Sequence, residues 1–172
     1  MAIEKADLVL CQLETPAAAS EEAFRIARAA GVTTVLTPAP VASVTDELLE
    51  LCVVCVPNIT EIAALVNCNV NCDGENLDDA VRAAELLRAR GVQRVVLTMG
   101  SKGALVVDDA GATYIPAIKV QAIDTTGAGD AFTAALAVSL AEGLNIREGA
   151  RRASLVAAIS VTRLALRVHF HR

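Results

Sequence analysis

Apolar residues alternate along the chain between short unbroken runs and longer segments in which they recur every three or four positions. Short unbroken runs are typical of strands buried on both faces, and the wider spacing is typical of helices with one buried face. The runs predict buried strands over residues 7–13, 32–37, 51–56 and 94–99. The wider spacing predicts helices over residues 18–31, 60–67, 77–90, 127–143 and 146–164.

A hairpin is predicted over residues 104–120, because an Asp-Asp-Ala-Gly turn separates two strand-like segments there. Residues 118–123, "IKVQAI", are predicted as strand as well, directly before the helix that follows. Strands and helices that alternate in this way predict an α/β fold of three layers. In that fold a mostly parallel sheet is covered by helices on both faces, and we expect the antiparallel hairpin at its edge.

Polar residues and glycines concentrate where the predicted strands end. These ends are the segments Gln12–Glu14, Thr37–Pro40, Pro57–Glu61 and Thr98–Gly103. In open α/β sheets, ligands bind in the crevice outside the carboxyl ends of the strands. The geometric rule and the composition therefore select the same residues, and we expect them to form one composite ligand site.

Composition and charge exclude several classes of protein. The apolar fraction of 54% with only 2% aromatic residues fits the small aliphatic side chains of buried parallel strands. A net charge of −5 disfavours binding to nucleic acid, and no apolar run approaches the ~18–20 residues of a membrane span. The first ten residues lack the pattern of a signal peptide, and five cysteines, an odd number, favour reduced thiols. We therefore expect a cytoplasmic domain that binds neither nucleic acid nor a membrane.

The segment "DTTGAGDAF", residues 124–132, combines chemistry that neither a surface loop nor a core helix requires. Its glycines allow a tight turn and close approach of a ligand, and the free amides at the following helix start favour an anion such as a phosphate. Asp130 falls in the first turn of that helix. A carboxylate repels a phosphate, but it is well placed to accept a proton from a hydroxyl that attacks the phosphorus. The alternative reading is an ordinary helix cap followed by glycine for close packing.

The same segment closely resembles the C-terminal signature of the ribokinase-like (PfkB) carbohydrate kinases. The segments "CQLE", "PAP", "PNITE", "TMGSKGALV" and "AAISVTRL" follow the order and spacing of that family, so that the resemblance covers about residues 6–164. It implies a three-layer α/β/α Rossmann-like fold over residues 1–164, with a divergent tail over residues 165–172. The implied activity is transfer of phosphate from ATP, with Mg²⁺, to a sugar hydroxyl, with ribose as the implied sugar.

The resemblance also implies roles for particular residues. Asp130 corresponds to the catalytic base, and the anion hole corresponds to Gly127, Ala128 and Gly129. Asn58 and Glu61 match an Asn-x-x-Glu motif that organises Mg²⁺ and its waters, and Glu14 matches an acid that contacts the sugar. The positions matched to the nucleotide site are Thr98, Gly100, Ser101, Lys102, Gly103, Gly129 and Ser154. A monovalent cation, K⁺, would be held with the help of Asp124 and Thr126. Taken alone, Asn58 could be a plain helix cap, Gly100 and Gly103 a plain turn, and Glu14 a surface acid.

The chain departs from the family pattern in three places. It begins where that pattern is nearly half complete, so the segments that supply the sugar lid and a Gly-rich sugar motif are not seen. Ala165 replaces an expected Gly in the cation-binding segment, and Ser154 stands where many members carry Asn. We therefore expect a truncated fold that keeps nucleotide binding and transfers phosphate weakly or not at all.

Two alternatives come from other classes of protein. Cys52, Cys55, Cys68 and Cys72 have spacing close to that of a four-thiolate zinc site. Against it, a strand over 51–56 would point Cys52 and Cys55 to opposite faces of the sheet and offers no turn. The second alternative is a non-catalytic protein that binds nucleotide or forms homo-oligomers through an exposed sheet edge. The tail "RVHFHR" is expected to be solvated rather than metal-binding.

Overall fold

The computed structural model describes residues 2–71 and 76–163. Within these residues the chain forms a six-stranded sheet flanked by six α-helices. The strands are β1 (Leu8–Cys11), β2 (Thr33–Leu36), β3 (Val54–Cys55), β4 (Arg94–Thr98), β5 (Ala104–Asp108) and β6 (Gly111–Ile115). The helices are α1 (Ala17–Ala29), α2 (Asp46–Leu51), α3 (Ile59–Leu65), α4 (Asp78–Arg88), α5 (Ala128–Ala141) and α6 (Ile146–Ser160). Short 3₁₀ helices lie at Ile3–Lys5, Val41–Ser43 and Gly100–Lys102.

The strands lie in the sheet in the order in which they occur in the chain. β1 to β4 pair in parallel, and β4, β5 and β6 pair antiparallel. Because parallel neighbours need crossover connections of one hand, the helices between β1 and β4 lie on one face of the sheet. The predicted mixed sheet with a hairpin at its edge is confirmed.

The core has two parts, one on each side of the sheet. On one face, a cluster built around Phe24, Leu48, Ile62 and Leu87 packs helices α1 to α4 against the strands. On the other face, Phe132, Leu136, Ile146, Ala150 and Ala153 pack α5 and α6 against Val54, Val96 and Val106. The small side chains expected from the composition fill both layers, and the predicted three-layer architecture is confirmed.

Helix α5 packs closely on α6 because a glycine lies at their contact. A Cβ atom added to Gly149 would come within 3.1 Å of a Leu136 methyl group and 3.3 Å of the Ser139 Cβ. The fully buried Leu136 fixes the face of α5 that points inward. This contact sets how closely the two helices pack on that face of the sheet.

Two strand predictions are wrong, one in the length of the strand and the other because no strand forms. Residues 51–56 contain only the two-residue strand β3, because Leu51 ends helix α2, which the hydroxyl of Thr45 caps by accepting from the amide of Leu48. Residues 118–123 lie in no strand. Instead, the amides of Ile123 and Asp124 donate to the carbonyl of Val161 at 2.7 and 3.2 Å, so that this segment follows the end of α6.

The predicted tail, residues 165–172, lies outside the described residues, as do Cys72 and Leu164. None of the helices within residues 2–71 and 76–163 is long and apolar enough to cross a membrane.

Candidate active site

The carboxyl ends of the parallel strands are tied to one another by backbone hydrogen bonds. The amide of Thr37 donates to the carbonyl of Cys11 at 3.0 Å, and that of Leu13 donates to Ala39 at 2.9 Å. Farther along the edge, the amide of Thr98 donates to the carbonyl of Pro57 at 2.9 Å. The polar residues that follow these strands are therefore carried on a connected backbone.

A small polar cavity of about 220 Å³ lies at this edge of the sheet. Its wall consists of the segments after β1, β2 and β3 and the first turn of α5. The lining residues are Gln12, Glu14, Thr37, Ala39, Val56, Asn58, Glu61, Gly129, Asp130 and Thr133. The hydroxyl oxygen of Thr37 is buried and has no hydrogen-bond partner among the described residues, which suits a cavity that receives a polar ligand.

Asp130 reaches this cavity from the third residue of α5, and its side chain is exposed. One carboxylate oxygen, Oδ1, accepts a hydrogen bond of 3.0 Å from the side-chain amide of Gln12. These two residues are 118 positions apart, so their contact is purely a product of the fold. The arrangement leaves the second oxygen of Asp130 available to the cavity.

Asn58 and Glu61 form a capping box at the start of α3. The amide of Glu61 donates to Oδ1 of Asn58 at 2.9 Å, and the amide and side-chain nitrogen of Asn58 each donate to one carboxylate oxygen of Glu61 at 2.8 Å. Burial raises the pKa of Glu61, and the backbone hydrogen bond from Asn58 opposes that shift. The cap that was one alternative for Asn58 is thus real, and both residues still line the small cavity.

A larger cavity of about 470 Å³ adjoins the first. It lies between the loop after β4, the irregular segment 117–125 and the inner face of α6. The lining residues are Thr98, Gly100, Ser101, Gly103, Ala117, Ile118, Lys119, Val120, Ala122, Thr125, Ala128, Gly129, Phe132, Ser154, Ala157, Ala158 and Val161. Its volume and mostly apolar wall with a few hydroxyl groups are typical of a site for a small organic ligand.

Gly103 is required where the loop after β4 meets the end of the hairpin. Its φ is +99°, and an added Cβ would lie 2.1 Å from the carbonyl oxygen of Ile115 and 2.7 Å from the amide nitrogen of Ala117. Gly100 also has a positive φ, +59°, but an added Cβ there would meet nothing within 4 Å. Gly103 is therefore required for the close contact between this loop and the end of the hairpin, whereas Gly100 is required only for its left-handed backbone.

The start of α5 is where the two cavities meet. Gly129 lines both of them, with Ala128 on the larger cavity and Asp130 on the smaller one. Gly127 caps the helix with a φ of +76°, and the amide of Ala128 donates to the carbonyl of Thr125 at 3.2 Å. The amides of Gly129 and Asp130 have no hydrogen-bond acceptor among the described residues. Of the implied anion-hole residues Gly127, Ala128 and Gly129, Ala128 has its amide bonded within the turn, and the amide of Asp130 is a free donor to which the sequence assigned no such role.

Asp124 and Thr126 lie in the turn that leads into α5. Oδ1 of Asp124 accepts from the amide of Thr126 at 2.9 Å, and this bond closes the turn. Neither residue lines either cavity. Their predicted role toward K⁺ remains a prediction.

The structure brings most of the predicted site residues together. Asp130, Glu14, Asn58 and Glu61 share the smaller cavity, and the predicted nucleotide residues other than Lys102 share the larger one. Lys102 lines neither cavity, and its carbonyl accepts from the hydroxyl of Tyr114 at 2.7 Å.

Sequence reasoning did not assign roles to Gln12 and Thr37. Both directly follow a parallel strand and line the small cavity, Gln12 after β1 and Thr37 after β2. Their position at strand ends was the available signal. That position selects the residues, but it does not say which of them contact each other.

The expected orientation of the cysteine pair is wrong. Because β3 begins only at Val54, Cys52 precedes the strand, and both Cys52 and Cys55 are buried in the same core cluster. A hydrogen bond with Cys52, together with burial, raises the pKa of the Cys55 thiol well above its ordinary value, which disfavours the thiolate that zinc binds. Within the part of the chain that the structure describes, no three His, Cys, Asp or Glu side chains are grouped as a metal site.

Comparison with known proteins places the chain in a family. A family model described as pfkB family carbohydrate kinase matches residues 1–168. The ribokinase of Haemophilus influenzae is 39% identical over 161 residues, 94% of this chain and 51% of that protein. The ribokinase of Mus musculus is 36% identical over 170 residues, 92% of this chain and 50% of that protein.

Solved structures agree with this assignment. Arabidopsis thaliana ribokinase complexed with ribose and ATP is 30% identical with a TM-score of 0.88, covering 95% of this chain and 52% of that chain. Ribokinase from Thermotoga maritima is 33% identical with a TM-score of 0.84, covering 95% and 53%. The chain thus spans about half the length of the relatives it matches. Matched over nearly its whole length in sequence and in fold, the chain belongs to the pfkB family of carbohydrate kinases.

Proposed function

We propose that this chain carries the phosphoryl-transfer site of a ribokinase-type carbohydrate kinase. The observation that carries the proposal is the position of Gly129 between two cavities of different chemistry, a polar one beside Asp130 and a mostly apolar one beside Ala128. A phosphoryl group that lies over Gly129 would have a sugar hydroxyl on one side and a nucleotide on the other. In-line transfer requires that arrangement.

Asp130 is the proposed general base. The sugar hydroxyl gives its proton to the free oxygen of Asp130, the hydroxyl oxygen forms a bond to the γ-phosphorus, and the bond to ADP breaks with its electron pair leaving on ADP. Asp130 is exposed to the small cavity and is held by Gln12 through the other oxygen. Glu14 lines the same cavity and is proposed to contact the sugar. Ribose as the sugar rests on the similarity to ribokinases.

The start of α5 is the proposed anion hole. The amides of Gly129 and Asp130 point from the positive end of the helix dipole and lack acceptors among the described residues. Donors placed in advance stabilise the charge that develops on the equatorial oxygens during transfer, because no reorganisation is then required. Gly127, at the helix cap, supplies the left-handed turn that presents these amides.

The larger cavity is proposed to bind ATP. Its apolar residues suit the faces of a purine ring, and Thr98, Ser101 and Ser154 offer hydroxyl groups within the same wall. The cavity volume of about 470 Å³ lies within the range of small-ligand sites, roughly 300–1,000 Å³. Lys102 lies outside this wall, so its proposed role is limited to the charge it brings to the loop.

Asn58 and Glu61 fit an indirect Mg²⁺ site. Each carboxylate oxygen of Glu61 accepts one bond from Asn58 and retains capacity for water, and burial already raises the pKa of Glu61, which a nearby cation would offset. Mg²⁺ bound with ATP would neutralise charge on the phosphates. The proposed K⁺ ligands Asp124 and Thr126 lie in the turn just before the anion hole.

We further propose that the chain by itself binds nucleotide and transfers phosphate weakly. Gln12, Glu14 and Asp130 are all exposed, so water has access to the reacting groups, and phosphoryl transfer needs water excluded. A coupled ADP-release assay with ribose, ATP, Mg²⁺ and K⁺ tests this, with Asp130→Asn as the control. We expect saturable nucleotide binding and a slow, sugar-dependent release of ADP. The release of ADP should be lost in Asp130→Asn. Robust turnover would contradict the weak-transfer proposal, and failure to bind nucleotide would contradict the function.

An assembly role is the second candidate, favoured by the edge of the sheet at β1. Leu10 on this edge strand is 40% exposed, and Val138 on α5 is 51% exposed. Unpaired strand edges with apolar side chains favour association. Light scattering of the wild-type chain and of Leu10→Lys distinguishes the candidates. An oligomer that Leu10→Lys dissociates, without nucleotide binding, would favour assembly over catalysis.

A further inference from the structure

We infer that Gln12 is a positioning residue for the proposed catalytic base. Its side-chain amide donates to Oδ1 of Asp130 at 3.0 Å, and both residues line the small cavity. The inference rests on the proposed function, since it assigns to Gln12 the orientation of the carboxylate that receives the sugar proton.

The backbone at Gln12 is anchored on both sides. Cys11 is the last residue of β1, and its carbonyl accepts from the amide of Thr37 at 3.0 Å. Leu13 is only 3% exposed, and its amide donates to the carbonyl of Ala39 at 2.9 Å. Gln12 thus projects from a fixed point of the sheet, and only its own side-chain torsions remain free. A donor on such a support defines the position of its acceptor.

The chemistry of the contact fits a positioning role. A carboxylate only accepts hydrogen bonds, so the nitrogen of the Gln12 amide must face Asp130, and its oxygen must point away. The amide is neutral, and it therefore orients the carboxylate without the ion pair that a Lys or Arg would form at the same place. With Oδ1 of Asp130 occupied, the other oxygen is the one directed to the sugar hydroxyl.

The position of Asp130 on α5 explains why a contact from outside the helix is needed to orient its side chain. Asp130 is the third residue of α5, and its side chain is exposed rather than packed. Helix geometry fixes its Cα but leaves its rotamer free. The Gln12 contact joins the first turn of α5 to the end of β1, and it restricts that rotamer from outside the helix.

The contact itself is tested by NMR on the chain as it exists. In the wild type, the side-chain proton that Gln12 donates is expected to resonate downfield of the corresponding protons of Gln121, an exposed glutamine that serves as the internal control. In Asp130→Ala this difference is expected to vanish while Gln121 does not move. Asp130→Asn, which keeps an acceptor and the side-chain shape, should leave a reduced difference. Gln12 resonances that are the same in the wild type and in Asp130→Ala would overturn the inference.

The kinetic role is tested with Gln12→Leu, which removes the donor, and Gln12→Glu, which replaces it with a like charge. Misplacing a reacting group by about 1 Å lowers rate by roughly 10²-fold, so kcat for sugar-dependent ADP release should fall about 10- to 100-fold in Gln12→Leu and further in Gln12→Glu. The KM for ATP should stay within about twofold, because the nucleotide cavity is separate. Gln93→Leu, at an exposed glutamine that lines neither cavity, should behave as the wild type. Equal melting temperatures show that the variants are folded.

The outcomes separate this inference from the function on which it rests. If the NMR signature is present but no transfer depends on Asp130, the proposed function fails, and the positioning role of Gln12 fails with it. If Asp130-dependent transfer occurs and Gln12→Leu retains the wild-type kcat, the positioning role alone is overturned. A loss of kcat in Gln12→Leu together with the signature supports both.

Discussion

Gly103→Ala is expected to be among the most damaging single substitutions in the candidate nucleotide site. The backbone at Gly103, with φ +99° and ψ −143°, lies close to a region that only glycine enters readily, and such strain is worth about 1–3 kcal/mol. The new methyl group would also lie 2.1 Å from the carbonyl oxygen of Ile115. Relieving that overlap requires movement of paired backbone, comparable with overpacking, which costs about 1–3 kcal/mol. The free energy of unfolding should therefore fall by roughly 2–6 kcal/mol.

Gly100→Ala is the matched control in the same loop. Its φ of +59° is left-handed, but an added Cβ meets nothing within 4 Å, so the expected loss is only the conformational term of about 1–2 kcal/mol. Urea unfolding of both variants gives the two losses, provided that the slope with urea is unchanged. ATP affinity should fall more in Gly103→Ala, because Ala117 beside the overlap lines the nucleotide cavity. Equal losses of stability in the two variants would refute the steric reasoning.

The remaining predictions concern buried hydrogen bonds and an ion pair that stabilise the sheet. Thr34 is fully buried, and its hydroxyl donates to the carbonyl of Leu51 at 2.7 Å and accepts from the amide of Val53 at 2.9 Å. Thr34→Val keeps the shape of the side chain but leaves the carbonyl of Leu51 and the amide of Val53 without this hydrogen-bond partner. Urea unfolding should therefore show a free energy of unfolding lower by about 2–4 kcal/mol. Hydrogen bonds from Arg147 hold the pKa of Asp108 below its ordinary value, and the stability it contributes is present above the unfolded pKa and is lost as pH falls through the folded value. Asp108→Asn should therefore lower unfolding free energy by about 1–3 kcal/mol at pH 7 and by much less in acid.

Each of these substitutions has a neighbour as control. Thr33→Val, at the half-buried residue before Thr34, should change stability by only a few tenths of a kcal/mol. Asp109→Asn removes a fully exposed carboxylate that contacts Arg88, and stability should stay nearly unchanged because solvent screens exposed ion pairs. A difference between Asp108→Asn and the wild type that persists undiminished at low pH would show that the ion pair is not the cause.

The fold was predictable from sequence wherever burial alone determines the pattern. The runs that became β2 and β4 are apolar because helices cover both faces of those strands, and the turn before Gly111 marked the hairpin. Where one apolar run contains the end of a helix and the start of a strand, the pattern wrongly predicted a single strand. Leu51 is apolar because it packs against the core from the last turn of α2, and Val53 is buried one residue before the strand begins.

Residues 118–123 show a second limit. Their large apolar side chains, Ile118, Val120 and Ile123, are at least 42% exposed, and the strand predicted for this segment does not form. This segment lines a cavity and bonds to the end of α6 instead of to a neighbouring strand. A single sequence contains no information on whether a strand partner is available, so the pattern could not separate the two cases.

The location of the candidate site was predictable from the sequence, but the contacts between its residues were not. The rule for strand ends selected Glu14, Asn58 and the loop after β4, and the local signature selected Asp130. The hydrogen bond between Gln12 and Asp130 joins residues 118 positions apart, and no local pattern contains it. Contacts of this kind depend on the packing of α5 against the sheet, which spacing along one chain does not specify.

The claim that the first turn of α5 receives the transferred phosphate is tested most directly by titrating the ¹⁵N-labelled chain with Mg·ATP. The amide resonances of Gly129 and Asp130 should shift in step with those of Ser101 and Gly103 in the larger cavity, with a single dissociation constant. Binding that moves the loop resonances and leaves both α5 amides in place, or no binding at all, would contradict that claim.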